Sequence, residues 1–300
     1  MPSETLAALR PRSGGRYLDG TVGGAGHSEA ILFASAPDGF LCGCDRDDDA
    51  LEAAGRRLSR FPGRFELRRG NFSGAAGWIP AGTLEGVLLD LGVSSHQLDS
   101  PGRGFSFQHD GPLDMRMDRR GGPTAADLVN GLPTEELARI FWKWGEERES
   151  RRIARALESE RRMRPFTTTL SLAGFIESLV PRRGSRIHPA TRVFQALRIA
   201  VNEELASLQA ALPALFALLR PQGRLAVITF HSLEDRIVKD YFRTEAREYD
   251  IQGSYDHPDF RIPRAARGLD LHRRGLVASD EETEANPRSR SARLRVLERL

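Results

Sequence analysis

What most constrains the fold of this chain is an alternation in its first third. Short apolar segments with strand character are each followed by a turn and then by a helical pattern. The first strand, Arg16-Tyr17-Leu18-Asp19, runs into a glycine-rich turn, Gly20 to Gly26, and helix-like residues follow from Ser28 to Ala34. A second strand, Gly39 to Cys44, ends at Asp45, and the next helix carries Ala50, Leu51, Ala54 and Leu58 on one face. A third, Arg64 to Arg68, stops short of Asn71-Phe72. A fourth, Gly86 to Leu91, contains the unbroken run Val87-Leu88-Leu89, as a parallel strand covered on both faces requires. Strands alternating with helices predict an α/β, Rossmann-like, doubly wound parallel sheet.

The fifth strand comes late. Leu225 to Phe230 follows the turn Pro221-Gln222-Gly223, more than a hundred residues after Leu91, and one crossover helix needs far fewer. The intervening stretch, from about Leu113 to Ile187, reads as helical. Thr134 is a candidate N-cap, Glu146 to Arg164 continues the helical pattern, and Thr168 to Leu179 forms another helix. The expected organisation is therefore a sheet domain over 1–107, an inserted all-helical domain for substrate recognition over 108–188, and the rest of the sheet domain over 189–300. A long helix from Pro189 carries Val193, Leu197, Val201, Leu205 and Leu208 on one face, with Pro213 expected to break or kink it. Residues 253–284 read as a long surface loop, and Ala292 to Glu298 as a closing strand.

Composition narrows the function classes. No apolar run approaches the ~20 residues that span a bilayer, and Met1 to Arg12 lack a signal-peptide core. No membrane partner and a cytoplasmic location are the expectation. The net charge is +3 with a pI near 9.2, and lysine occurs only at Lys143 and Lys239. Arginine suits phosphate and base recognition, but a GC-rich genome explains its abundance equally well. Cys42 and Cys44 lie in an apolar run with no further ligands in metal-binding spacing, so they read as buried thiols and no metal is expected.

The sharpest local signal is Asp19-Gly20-Thr21-Val22-Gly23-Gly24-Ala25-Gly26-His27. Glycines after a first strand allow positive φ and close approach to a ligand, and the next helix offers free N–H groups. Dinucleotide enzymes hold pyrophosphate this way. Here the strand ends in an acid, which favours a cationic ligand such as S-adenosylmethionine. Asp45, about twenty residues on, stands where an acid accepts from ribose hydroxyls; the alternative is a helix N-cap, which Asp47 or Asp48 could supply instead. Phe72 is either an adenine-facing ring or a core aromatic. Asp90 ends the fourth strand, where an open α/β sheet places its reacting centre.

Longer blocks are more specific. Leu88-Leu89-Asp90-Leu91-Gly92-Val93-Ser94-Ser95 with Gln97-Leu98-Asp99, Gly102-Arg103-Gly104-Phe105-Ser106-Phe107, and Asp110-Gly111-Pro112-Leu113-Asp114-Met115-Arg116-Met117-Asp118 resemble the RsmH/MraW family. So do Gly145-Glu146-Glu147-Arg148, His188-Pro189-Ala190-Thr191-Arg192 running into Phe194-Gln195-Ala196-Leu197-Arg198, Phe230-His231-Ser232-Leu233-Glu234-Asp235-Arg236, and Asn286-Pro287-Arg288-Ser289-Arg290-Ser291. The resemblance implies a Rossmann-like S-adenosylmethionine-dependent methyltransferase sheet with a helical insertion. It also implies N4-methylation of cytidine 1402 in the 16S rRNA of the 30S subunit. Cofactor contacts then fall at Ala25, Gly26, His27, Asp45, Phe72, Asp90 and Gln97, to which the strand-end and glycine-turn reading adds Asp19 and Gly24. The chain departs from the family at Ala25, usually glycine, where a negative φ would be tolerated. It departs also at Val22, usually phenylalanine, at His96, usually proline, and in lacking a His-x-Pro-Val-like stretch before Glu4-Thr5-Leu6.

Methyl transfer needs the cytosine amine aligned near attack distance. Asp90 is the first catalytic candidate, with His231, Ser232 and Asp235 as a second group; a hydrolase triad is disfavoured because Gly-x-Ser-x-Gly is missing. His27, a lone histidine at a helix start, and the pair Asp235-Arg236 each also have a purely structural reading. Arg103, Phe105, Phe107 and Arg116 are candidates for holding an extruded base. Arginines from Arg148 to Arg164 suit phosphate, but the interleaved glutamates equally suit a solvated helix. Two other classes stay open: an NAD-type oxidoreductase, excluded by binding of S-adenosylmethionine and not NAD, and a non-catalytic assembly factor, excluded by methyl transfer to 30S subunits. A homodimer is compatible with the sequence, which leaves the oligomeric state open.

Overall fold

The computed structural model describes residues 1–180, 182, 188–253 and 256–300; residues 183–187, the end of the stretch read as helical, lie outside the described residues. The strands are β1 (Arg16–Asp19), β2 (Phe40–Asp45), β3 (Phe65–Arg69), β4 (Leu84–Asp90), β5 (Leu219–Thr229), β6 (Tyr249–Ile251), β7 (Arg261–Pro263), β8 (Gly268–Asp270), β9 (Leu276–Val277) and β10 (Arg293–Arg299). The helices are α1 (Pro2–Leu9), α2 (Gly26–Ala34), α3 (Asp48–Leu58), α4 (Ser95–Asp99), α5 (Ala125–Gly131), α6 (Thr134–Gly145), α7 (Ser150–Arg161), α8 (Thr169–Leu179), α9 (Thr191–Asn202), α10 (Glu204–Leu218), α11 (Ser232–Glu245) and α12 (Asp280–Ala285). The chain divides into two units, Met1–Gly92 with Leu205–Leu300, and Val93–Glu204.

In the first unit the sheet runs β3-β2-β1-β4-β5-β10-β8, with β9 also on β10. From β3 to β5 the strands are parallel, and β10 is antiparallel to its neighbours. This bears out the Rossmann-like sheet and the closing strand. Successive residues point to opposite faces of a strand, and both faces are packed. Leu18, Cys42, Cys44, Val87 and Leu89 join the core beneath α10 and α11. Tyr17, Leu41, Leu88, Ala226 and Ile228 join the core beneath α1, α2 and α3. The cysteines are buried free thiols, as expected, and burial pushes both up in pKa. The strand order reverses between β1 and β4, and the crevice at such a reversal opens at the carboxyl ends of the strands.

The second unit packs α4 to α9 around Phe105, Leu113, Met115, Phe141, Ile153, Leu157, Val193 and Phe194. Its boundaries correct the expected 107/108 and 188/189 breaks, because residues on both sides of them contribute to this one core. The helix expected from Pro189 is two helices. Glu203 turns left-handed at φ 50 between α9 and α10, so Val193 and Leu197 serve the second unit and Leu208 the first. Pro213 does not break α10; buried Leu208, Ala211, Leu212 and Leu215 flank it and hold the helix against the sheet. Thr134 is not a cap: its hydroxyl donates to the Glu158 carboxylate instead. Residues 253–284 are not one loop either. They carry β7, β8, β9 and α12, because the outer edge of β10 offers unpaired backbone groups that β8 and β9 satisfy. In β5 the turn at 220–223 is a bulge within the strand, with Leu84 facing Leu219 and Gly86 facing Arg224.

Candidate active site

The glycine loop is built by its neighbours. Gly20 N–H donates to Leu88 O at 2.9 Å and Val22 N–H to Cys44 O at 3.2 Å, so β4 and β2 each fix one corner. Only glycine fits at 20, since a Cβ would lie 2.6 Å from Leu89 Cδ2 and 2.9 Å from Phe72 Cβ. Ala25, the residue before α2, sits left-handed at φ 59 and fully buried. The negative φ under which alanine was to be tolerated here is therefore not met. The left-handed region costs an alanine roughly 1 kcal/mol, and the loop retains it because both flanks are fixed.

Three acids gather at adjacent strand ends. Asp19 is 1% exposed and fully engaged: Oδ1 accepts from Thr21 N–H at 3.1 Å and Oδ2 from the Ser28 hydroxyl at 2.6 Å. Burial pushes its pKa up to about 6. Asp45 accepts from Gly23 N–H at 2.9 Å and from Asp47 N–H at 3.0 Å. The helix-cap alternative falls away, because Asp47 caps α3 through Asp49 N–H at 3.1 Å. Asp90 has its backbone N–H on the Thr21 hydroxyl at 2.6 Å. Its Oδ1 is sealed from solvent without a hydrogen-bond partner among the described residues. Burial pushes Asp90 up to about 7, and Asp19 and Glu234 add to the rise.

His27 lies in the first turn of α2, with Nε2 3.5 Å from Asp90 Oδ2. Burial lowers its pKa to about 4, so it faces Asp90 as a neutral imidazole at neutral pH. Phe72 packs partly buried against the core at a short helical turn, and Asn71 caps that turn while donating to the Ser207 hydroxyl at 2.9 Å. At the end of β5, His231 caps α11: its Nδ1 accepts from Glu234 N–H at 3.4 Å. Its buried Nε2 lies 3.2 Å from Glu234 Oε1 without hydrogen-bond alignment. Ser232 is exposed at the first turn of α11.

Other candidates have structural work instead. Asp235 is held by Arg295 through contacts of 2.7 and 3.0 Å, with Arg295 3% exposed, so its carboxylate is committed to β10. In the second unit, Arg103 is buried and its guanidinium donates to Arg116 O at 3.1 Å and Met117 O at 3.2 Å. Phe105 is core. Neither is placed to grip a base, which corrects that expectation. Arg116 forms a forked pair with Asp114 at 2.8 and 3.0 Å, and Phe107 packs on His188 and Phe194. Gln97 closes a capping box, its amide oxygen accepting from Ser94 N–H at 3.0 Å. Sequence reasoning passed over Thr21, Ser28, Glu234 and Arg57, which donates to Gly24 O at 3.2 Å. Hydroxyls inside a glycine loop and a helix's first turn were the available signal for the first two.

The whole chain, residues 1–300, matches the model of the MraW methylase family. The ribosomal RNA small subunit methyltransferase H of Syntrophotalea carbinolica is 55% identical over 308 residues, covering 100% of this chain and 96% of the relative. The protein of the same name from Geobacter sulfurreducens is 51% identical over 310 residues, covering 100% and 97%. Among solved structures, an rRNA methylase from Streptococcus thermophilus aligns over 100% of this chain and 97% of that one, at a TM-score of 0.44 and 10% identity.

Proposed function

The chain belongs to the MraW methylase family, and on that premise we propose that it methylates N4 of cytidine 1402 in the 16S rRNA of the 30S subunit, with S-adenosylmethionine as donor. The observation that carries the chemistry is the Asp90 carboxylate, half-buried at a strand end, with one oxygen sealed from solvent and unpartnered among the described residues and its pKa raised to about 7. Such a group is matched to moving a proton near neutral pH.

The residues of the crevice fit the donor. A Cβ at Gly24 would meet nothing within 4 Å, so the loop is open on that side. The first turn of α2 offers backbone N–H groups for a carboxylate. Asp45 keeps acceptor capacity for ribose hydroxyls beyond its backbone contacts. Phe72 can present a ring to adenine. Asp19 and Asp90 would repel a pyrophosphate and attract an ammonium or sulfonium, which favours this donor over a dinucleotide. When bound, S-adenosylmethionine supplies an electrophilic methyl group. Asp90 then accepts a hydrogen bond from the exocyclic amine, localising the nitrogen lone pair, and takes up the proton that the amine sheds. His27, neutral, lets Asp90 keep its negative charge unneutralised by an ion pair. His231 and Ser232 remain candidates for orienting the base, and Phe107 and Arg116 for contacts to the extruded nucleotide. A ribosomal-subunit substrate implies work in the cytoplasm.

The test is transfer of tritiated methyl onto 30S subunits lacking this modification, followed by nucleoside analysis. N4-methylcytidine at position 1402 is expected, and none with Asp90→Ala of unchanged fold. Label in another base, or at another position, would refute the reading.

A further inference from the structure

Within the second unit, a cleft of about 990 Å³ opens between α6 and the start of α7, and it includes no residue invoked above for methyl transfer. Five arginines line it (Arg139, Arg148, Arg151, Arg152 and Arg155) against two glutamates, Glu135 and Glu149. A helix laced with i,i+4 pairs would have matched those charges. Arg139 does pair with Glu136 at 3.0 Å, and Arg152 lies 3.7 Å from Glu149. Arg148, Arg151 and Arg155 are exposed and have no carboxylate within 4 Å among the described residues. Farther along, Arg161 is committed to Val129 O at 2.7 Å and Arg162 to Glu158 at 2.9 Å. Arg155 Nε donates within its own helix, to Arg151 O at 3.3 Å, so the cleft gathers three guanidiniums that no carboxylate among the described residues neutralises; Arg164, exposed beyond the end of α7, lies outside it.

Trp142 lines the same cleft and is 62% exposed. α6 buries Leu137, Ile140 and Phe141, so the indole stands off the packed face of its helix. A bare indole beside unpaired guanidiniums suits nucleic acid: the ring stacks a base of any identity, and the forked cations hold phosphate oxygens.

We propose that the α6–α7 cleft is an RNA-anchoring site, in which Trp142 stacks an unpaired base while Arg148, Arg151 and Arg155 bind phosphates of the same single-stranded segment. That the RNA is ribosomal rests on the proposed function; that the cleft takes RNA does not.

The full chain is titrated against a fluorescein-labelled single-stranded RNA of about twelve nucleotides, followed by anisotropy at several salt concentrations. Trp142→Ala weakens binding at least fivefold, and Trp142→Phe, which keeps a stacking face, stays within about twofold of wild type. Arg148→Gln with Arg151→Gln lowers the slope of log K against log salt by about 1.4. Arg162→Gln changes neither. With 30S subunits the same variants raise KM and leave kcat unchanged. Wild-type affinity and slope in all variants would overturn the proposal. So would a raised KM for 30S with unchanged RNA binding, which would assign the cleft to a ribosomal protein. If the wild type labels no 30S subunits while RNA binding still depends on Trp142 and the arginines, methyl transfer fails and the cleft stands.

Discussion

Ser28→Ala isolates the bond that fixes the glycine loop to the end of β1. The Ser28 hydroxyl and the Asp19 carboxylate are both buried, 2.6 Å apart, and Asp19 retains only Thr21 N–H at 3.1 Å once the serine is gone. A hydrogen bond to a charged acceptor is worth about 1.5–3 kcal/mol, so a loss of about 2 kcal/mol is expected where Asp19 is ionised. Burial raises the Asp19 pKa to about 6, and the Ser28 hydroxyl opposes that rise. A carboxyl whose folded pKa exceeds its unfolded value stabilises the fold at low pH, and that contribution disappears as pH climbs from about 4 through 6. Removing the hydroxyl raises the folded pKa further, so the variant loses most at alkaline pH. Urea unfolding at pH 8 should show the full loss, and at pH 5, with Asp19 protonated, about half or less. In an Asp19→Asn background the serine substitution should likewise cost about half or less. Equal losses at both pH values and in both backgrounds would refute the reasoning, leaving packing of Ser28 as the cause.

Asp90→Asn should slow methyl transfer at least a hundredfold; the wild-type rate should rise with pH through about 7, where Asp90 ionises, and level off above it, as tritium-transfer rates across pH will show. Arg295→Met leaves Asp235 without its forked partner and should cost about 3 kcal/mol, much of it recovered by adding Asp235→Asn, both read from denaturant unfolding. Ala25→Gly should change stability by less than about 1 kcal/mol, because relief of the left-handed backbone is offset by glycine's extra unfolded-state freedom. Ala25→Val should cost about 2 kcal/mol or more, measured the same way, since a branched Cβ tolerates that backbone poorly.

The sheet was legible because its signals are local. Val87-Leu88-Leu89 reads as doubly covered, and Leu88 does face one core while Val87 and Leu89 face the other. The acids at 19, 45 and 90 were legible because strand ends fix where side chains emerge. What the sequence hid depends on partners distant along the chain. Asp235 looks like a site residue until Arg295, sixty positions away, takes both its oxygens. Arg103 looks like a base-gripping cation until the carbonyls of Arg116 and Met117 fold over it. The break at Glu203 was equally hidden, since apolar spacing continues smoothly through it while the backbone turns left-handed. Charge alternation around α7 left two readings open, and the side chains divide between them: Arg152 and Arg162 meet glutamates while Arg148, Arg151 and Arg155 do not, because pairing depends on where each side chain extends and not on the count of acids.

The crevice also concentrates features that a purely structural element would shed. Asp19 and Asp90 end neighbouring strands, and Asp19 raises the proton affinity of Asp90 while Asp45 raises that of Asp19. Asp90 keeps one sealed oxygen without a partner, and Ala25 holds a backbone conformation its side chain disfavours. Each of these is a local cost of order 1 kcal/mol or more. They persist because the surrounding hydrogen bonds, from Gly20 to Leu88, Val22 to Cys44 and Asp90 to Thr21, leave the loop no alternative conformation. The acids are relieved only in part: Ser28 and Thr21 donate to Asp19, and the N-terminal ammonium opposes the rise at Asp90, while His27, beside Asp90, is itself kept neutral by burial. A cationic ligand would relieve them, since it lowers the energy of every ionised carboxylate around it at once. The same cost therefore becomes binding energy when a positive group enters, and it discriminates against ligands that present a negative one.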